Sequence, residues 1–369
     1  MRAAGAPGGA RAARAAARWS RSLDRPLAMR AAVISAGLLF CLLALPALLS
    51  TYWIKVLTGV AIFAVVALGL NLLFGRVGLV SLGQIALLAA GSWIAARLFF
   101  LTSLPFPVVL LLSGLITALV GVLLGLPALR LSGLHLALIT LMFAGVIAIV
   151  VPTTNFPNGG GGILGHTESS SGGIAIRRPE IAQGDGAYFR YTVIVAAIMF
   201  LLALVHVASR AGRAWAAIRQ SEPAAIAAGV NTTFYKLYAF ALASFMTGVA
   251  GGLYAGYVGK LYSYQFSGAR TIDSVTLLAT VLMGGIFSLW GAVVAALLQQ
   301  LLPALLDDWF GFFERNPDFL LVLFGVGVLQ VLVTAPEGLA AQVPRDLRNL
   351  ARLLSRLVRR AADAARSTA

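Results

Sequence analysis

Long apolar runs recur along this chain, and they decide what it can fold into. "YTVIVAAIMFLLALVHVA" at 191–208 is one, and "YAFALASFMTGVAGGLYAGYVG" at 238–259 is another. A helix of about 20 apolar residues crosses the ~30 Å hydrocarbon core of a bilayer. Spanning strands would show short alternating segments instead, and the sequence offers no such pattern. Charged residues make up 11% of the chain, against about 25% in a soluble domain. The sequence therefore predicts an all-α polytopic membrane protein.

Taken in order, the runs predict spans near 31–50, 53–74, 78–99, 105–126, 131–151, 188–208 and 236–258, then a long apolar region at 274–306 and a last span at 318–334. The transmembrane region is thus 31–334, between a basic tail at 1–30 and another at 335–369. Each tail carries seven arginines, so together they hold half of the 28 Lys and Arg in the chain. That placement accounts for the net charge of +15 by membrane topology and anionic-lipid contact rather than by nucleic acid. Cys41 is the one cysteine and has no partner for an internal disulfide. The N-terminus has a basic and then an apolar region, as a signal peptide does, but the run is of full span length. An uncleaved first span is expected.

Positive residues favour the cytoplasmic side. Parity then places Arg76, Arg130, Arg210, Arg213, Arg219 and Lys236 inside, and the glycine- and serine-rich loop 152–188 outside. A cytoplasmic C-terminus needs an even number of crossings. The 274–306 region, ~50 Å long as a helix, reads best as a pair of short crossings broken near "MGGIFSLWG". About ten crossings are expected, with a broken or re-entrant pair and both termini cytoplasmic.

No catalytic chemistry is evident. The only Gly-Lys pair, Gly259–Lys260, has Tyr254 where a phosphate-binding loop needs its first glycine and Leu261 where it needs Ser or Thr. His135, His166 and His206 lack metal-ligand spacing, and no G-x-S-x-G elbow occurs. Acidic residues are almost excluded from the spans, Asp273 lying at a span edge. A proton relay or cation pump needs intramembrane acids, so ion-coupled transport is disfavoured.

Polar residues inside the spans have two readings. Either Asn71, Ser81, Gln84, His135 and Thr140 make hydrogen bonds between helices, or Asn71, Ser81, Gln84 and Thr140 line a path for a small polar solute. Gly248, Gly252 and Gly256 recur every fourth residue, a ridge for close helix packing. "GVLLG" at 121–125 reads the same way.

One stretch is too polar to span: "AGRAWAAIRQSEPAAIAAGVN", 211–231. Residues 210–220 read as a helix with Trp215 and Ile218 on one face and Arg213 and Arg219 elsewhere. Pro223 suits the first turn of a second helix, with Glu222 at its positive end. Gly229 ends it, and Asn231 caps the next span. The segment 209–235 is either a simple cytoplasmic connection or a docking element for a cytosolic partner.

This stretch, continuing to "TTFYKLYAFALASFMTGVAGGLYA", resembles the permease subunits of high-affinity branched-chain amino acid ATP-binding cassette (ABC) importers. Gly212, Arg213, Ala217, Ile218, Arg219, Glu222, Ala224, Ala225, Gly229 and Asn231 match the family pattern. "LGLNLLFGRVGLVSLGQIAL", "LRLSGLHLALITL" and "LMGGIFSLWGAVVAALL" also match, in family order. Pro223 directly after Glu222 departs from the pattern and leaves the local helix geometry open. The resemblance implies a non-catalytic permease of the bacterial inner membrane, without a cofactor of its own. Its partners would be a second permease subunit (hetero- or homodimer), two cytosolic ATPases that bind ATP and Mg, and an extracytoplasmic binding protein. It makes Gly212, Arg213, Ala217, Ile218, Arg219, Glu222 and Gly229 an ATPase-coupling loop, and alternating access the mechanism. A related importer of urea or short amides, and a stand-alone channel or secondary transporter, are the competing readings.

Overall fold

The computed structural model describes residues 37–129, 131, 133–153, 174–175, 178–261, 270–310, 318–334 and 338–342. The 1–30 tail lies outside these residues, as does most of 335–369 and of the 152–188 loop. The expectations for those segments are therefore not addressed by the fold.

The described residues are almost entirely helical. In chain order they form α1 (Gly37–Leu48) and α2 (Thr51–Leu70), the latter continuing as a wide π-turn at Asn71–Val77. Next come α3 (Gln84–Leu101), α4 (Phe106–Gly125), α5 (Leu134–Thr153) and α6 (Asp185–Ala208). Two short helices follow, α7 (Arg210–Gln220) and α8 (Glu222–Ala227), and then the long α9 (Thr232–Val258). The last are α10 (Arg270–Gly284), α11 (Leu289–Ala296), α12 (Leu302–Phe310) and α13 (Asp318–Thr334), with a π-turn at Leu297–Leu301 joining α11 to α12. β1 (Ile174–Ala175) pairs antiparallel with β2 (Lys260–Leu261).

Among the described residues six helical segments are long and apolar enough to cross a membrane: Thr51–Val77, Gln84–Leu101, Phe106–Gly125, Asp185–Ala208, Thr232–Val258 and Leu289–Asp308. Shorter apolar helices cover Gly37–Leu48, His135–Ile147 and Asp273–Gly284. The 274–306 region is broken where the sequence suggested, between Gly284 and Leu289. Gly285 takes φ 109° there, a left-handed conformation that glycine adopts without steric cost.

Contacts divide the chain into two units, Met1–Ile54 and Lys55–Ala369, the boundary falling within α2. In the first, the described residues are α1 and the start of α2, where Tyr52 and Trp53 meet edge to face. The second holds the core, and α9 packs there against α4 and α3.

The glycine ridge explains that packing. A Cβ on Gly248 would lie 2.6 Å from Thr117 and 2.9 Å from a Ser113 backbone oxygen, both on α4. Close approach lets Ser113 Oγ donate to Gly248 O (3.1 Å) and Ser92 Oγ donate to Gly251 O (2.8 Å). With no aqueous hydrophobic effect in lipid, small residues and such bonds hold helices together. Gly121 and Gly125 of α4 receive Ser244 and Phe240 of α9 in the same way. The outer surface is apolar instead: Leu111, Leu115, Leu119 and Leu123 of α4 are exposed at spacing four. In water this stripe would be an unstable surface, whereas in lipid it is the expected one.

Three helix starts differ from the sequence expectation by four residues or more. α3 begins at Gln84 rather than 78, because Gly78 turns left-handed (φ 86°) and Leu82 N–H bonds Thr140 Oγ1 instead of a helical carbonyl. α9 begins earlier, at Thr232, capped by Asn231. α10 begins at Arg270, four residues before the predicted apolar region at 274–306. Of the 152–188 loop, Arg178 is held in place: it pairs with Asp185 (2.7 Å), donates to Gly256 O (3.0 Å) and lies over the Tyr188 ring.

Candidate functional site

The α7–α8 hairpin is built from local signals. Ser209 accepts from Ala211 N–H and starts α7; Ser221 accepts from Ala224 N–H and starts α8. Pro223 occupies the first turn of α8, where its missing N–H costs nothing. The departure from the family pattern at Pro223 thus produces an ordinary helix start. Gly229 ends α8 at φ 80°, and Val230 N–H returns to Ala225 O, a Schellman-type closure. Asn231 Oδ1 then accepts from Phe234 N–H at 3.0 Å.

One face of the hairpin is anchored. Trp215 is fully buried, stacks on Tyr238, and donates from Nε1 to Tyr235 O at 2.9 Å. Ala211, Ala214, Ile218 and Ala225 are buried with it, and Ala217 is half-buried. Gly212 has no room for a side chain against the Val207 carbonyl. Lys236 Nζ of α9 pairs with Glu222 Oε1 at 2.6 Å, the lysine side chain being 6% exposed and the glutamate 41%. The other face is open: Arg213, Gln220, Pro223, Ala224, Ile226 and Gly229 are exposed. The exposed face is therefore basic and apolar around a rigid base.

Arg219 leaves this face to grip the membrane part. Its Nη1 donates to Gly75 O in the π-turn of α2, and its guanidinium lies 4.4 Å over the Phe287 ring. Phe287 belongs to the 285–288 break. Asn71, fully buried one turn before Gly75, donates from Nδ2 to Ser288 O at 2.9 Å and to Gly285 O at 3.3 Å. A Cβ on Gly75 would collide with Ile286 O. A continuous set of contacts thus links the hairpin, the end of α2 and the α10–α11 break. The wide π-turn, a form frequent at functional sites, presents both Asn71 and the Gly75 carbonyl to their partners.

Ser81, Gln84 and Thr140 are brought together elsewhere. All three are buried. Thr140 Oγ1 accepts from Leu82 N–H (2.8 Å) and donates to Ala137 O (2.9 Å). Ser81 Oγ accepts from Gly83 N–H, and Gln84 Oε1 accepts from Thr247 Oγ1 of α9 at 2.7 Å. Asn71 does not join them. Asn71 Oδ1 and Gln84 Nε2 remain without a hydrogen-bond partner while buried, which is unusual for interior amides. His135 is exposed at the start of α5. Gly248, Gly252 and Gly256 serve the α9 contacts: Gly252 meets Leu110 and Ala95, and Gly256 meets Phe106 and Tyr188.

Sequence reasoning used Lys236 as a topology marker and missed its ion pair. It also missed Tyr235, Gly75 and the 285–288 carbonyls as partners. A lysine in the first turns of an apolar helix was the available signal for the ion pair.

The lipid-type surface, glycine-packed helices and broken helix fit a multi-pass membrane protein with an anchored hairpin between two of its spans. The chain belongs to the family described as "branched-chain amino acid transport system / permease component", whose family model matches residues 52–332. It is similar to the high-affinity branched-chain amino acid transport system permease protein LivM of Salmonella typhimurium (strain LT2), with 31% identity over 321 residues, 82% of this chain and 73% of that protein. The Escherichia coli (strain K12) protein of the same name is 30% identical over the same shares. No solved structure shows a significant match to the chain.

Proposed function

We propose that this chain is a non-catalytic permease subunit of an ABC importer that moves branched-chain amino acids into the bacterial cytoplasm by alternating access. The observation that carries the coupling part is the α7–α8 hairpin: a rigid base and an open basic–apolar face, joined by Arg219 to both α2 and the α10–α11 break. A cytosolic ATPase that shifts the hairpin as its nucleotide site closes would move the end of α2 and the break together. Gly212, Arg213, Ala217, Ile218, Arg219, Glu222 and Gly229 form this coupling loop. ATP and Mg would be held by the partner ATPases.

In this reading the chain crosses the inner membrane ten times, with α10 and α11–α12 as the broken pair and both termini cytoplasmic. A second permease subunit completes the pathway, and an extracytoplasmic binding protein delivers substrate. Asn71, Ser81, Gln84 and Thr140 lie on the candidate path, where the two unpartnered amide atoms offer hydrogen bonds without fixed charge. Co-expression with the partner ATPases tests the coupling loop. Arg219→Ala should stay membrane-inserted and lose leucine uptake by about tenfold or more, the worth of a charged hydrogen bond. Wild-type uptake in that variant would remove the assignment.

A further inference from the structure

We infer that Trp93 and Arg97 form a carboxylate-binding subsite for the transported amino acid, an inference that rests on the function proposed above. The two residues lie four apart on α3 and so share one helical face. Arg97 is 4% exposed. Its Nε, Nη1 and Nη2 are all buried without a hydrogen-bond partner, and so is the indole Nε1 of Trp93. The guanidinium lies 5.8 Å from the Phe100 ring centroid, near the outer limit of a cation–π contact. A ring contact at that distance does not offset the cost of enclosing an unpaired charge. Among the described residues the ion pairs join Lys55 or Arg178 to Asp185 and Lys236 to Glu222; no acid meets Arg97.

The donor set selects the ligand. A guanidinium fork and an indole N–H four residues apart on one helix face offer donors alone, and a carboxylate accepts through two oxygens with about four lone-pair sites. Neither side chain offers an ammonium group an acceptor. The Trp93 ring packs against the cluster of Ala89, Ala95, Ala96, Val109 and Ala255, so the features left over for a ligand are its indole N–H and the Arg97 guanidinium. Gly91, Ser92 and Ala95 carry the α3 contact with α9, and at about 100° per residue Trp93 and Arg97 turn away from it. The other neighbours of α3 include α4, α5 and α10, of which α10 leads into the 285–288 break held by Asn71. The four nitrogens are closed to solvent in this conformation. A movement of the break that shifts α10 relative to α3 would open the subsite, and an arriving carboxylate would compensate the charge.

The test uses the full importer with its partner subunits, and leucine as the probe. Arg97→Gln should lower leucine uptake by about tenfold or more, the worth of one charged hydrogen bond. Arg97→Lys, which keeps the charge, should retain more uptake than Arg97→Gln. Leucine should raise the thermal midpoint of the purified wild-type complex and not that of Arg97→Gln. The ligand-free midpoint of Arg97→Gln should be no lower than wild type, because an unpaired charge has been removed. Wild-type uptake by Arg97→Gln overturns the subsite. So does loss of the second permease subunit on purification of that variant, which would make the missing anion a side chain of the partner subunit. If the wild-type complex takes up no branched-chain amino acid while remaining assembled, the function itself fails and the subsite with it.

Discussion

At the scale of single residues, the ion pair between Glu222 and Lys236 is the most exacting contact in the hairpin. Lys236 is 5% exposed, so removing its partner strands a buried ammonium. Glu222→Gln should destabilise the hairpin by about 1–3 kcal/mol, less than a fully buried pair because the carboxylate is half open. Lys236→Met should cost less, since it fills the same space and leaves no stranded charge. Co-purification of the ATPases measures both, and equal losses would count against the ion pair. Gly229 gives a second prediction. A Cβ there meets nothing within 4 Å in this chain, so within the chain Gly229→Leu acts through backbone strain, about 1–2 kcal/mol. Gly229→Asn should lose less uptake than Gly229→Leu, because asparagine tolerates the left-handed region. The caps, Pro223 and Gly229 were legible in the sequence because each acts within four residues. Arg219 with Gly75, and Asn71 with 285–288, were not legible: those partners lie far apart in the chain, and only packing brings them together.

At the scale of helices, the glycine ridge and the break make the strongest claims. Gly248→Leu has no room against Thr117 and Ser113, whereas Gly325 of α13 has nothing within 4 Å. Gly248→Leu should therefore lose the monodisperse peak in detergent chromatography, and Gly325→Leu should keep it. An equal outcome for the two would mean that the α9–α4 contact does not limit assembly. Asn71→Leu should free the 285–288 break from α2. It should leave the ATPases bound and reduce uptake, a separation that simple misfolding would not give. The ridge was readable from spacing four in an apolar run. The start of α3 was not, because the left-handed turn at Gly78 and the bond from Leu82 to Thr140 replace a helical turn with a non-local one.

At the scale of the whole molecule, the pattern of apolar runs made the membrane architecture legible, including the break in the long 274–306 region. It left open which polar residues meet, because one apolar face of a span looks like another in sequence. Topology is open to a direct check. With Cys41 replaced, a cysteine in the 335–369 tail should resist labelling from outside intact cells, and labelling there would contradict ten crossings. The central claim is that this permease moves branched-chain amino acids through work done by partner ATPases. Uptake of labelled leucine into proteoliposomes holding the complete complex tests it most directly. The account predicts concentrative uptake that needs ATP, the loaded binding protein and both ATPases. Leucine uptake by this chain without the ATPases, or ATP-driven uptake of urea with none of leucine, would contradict it.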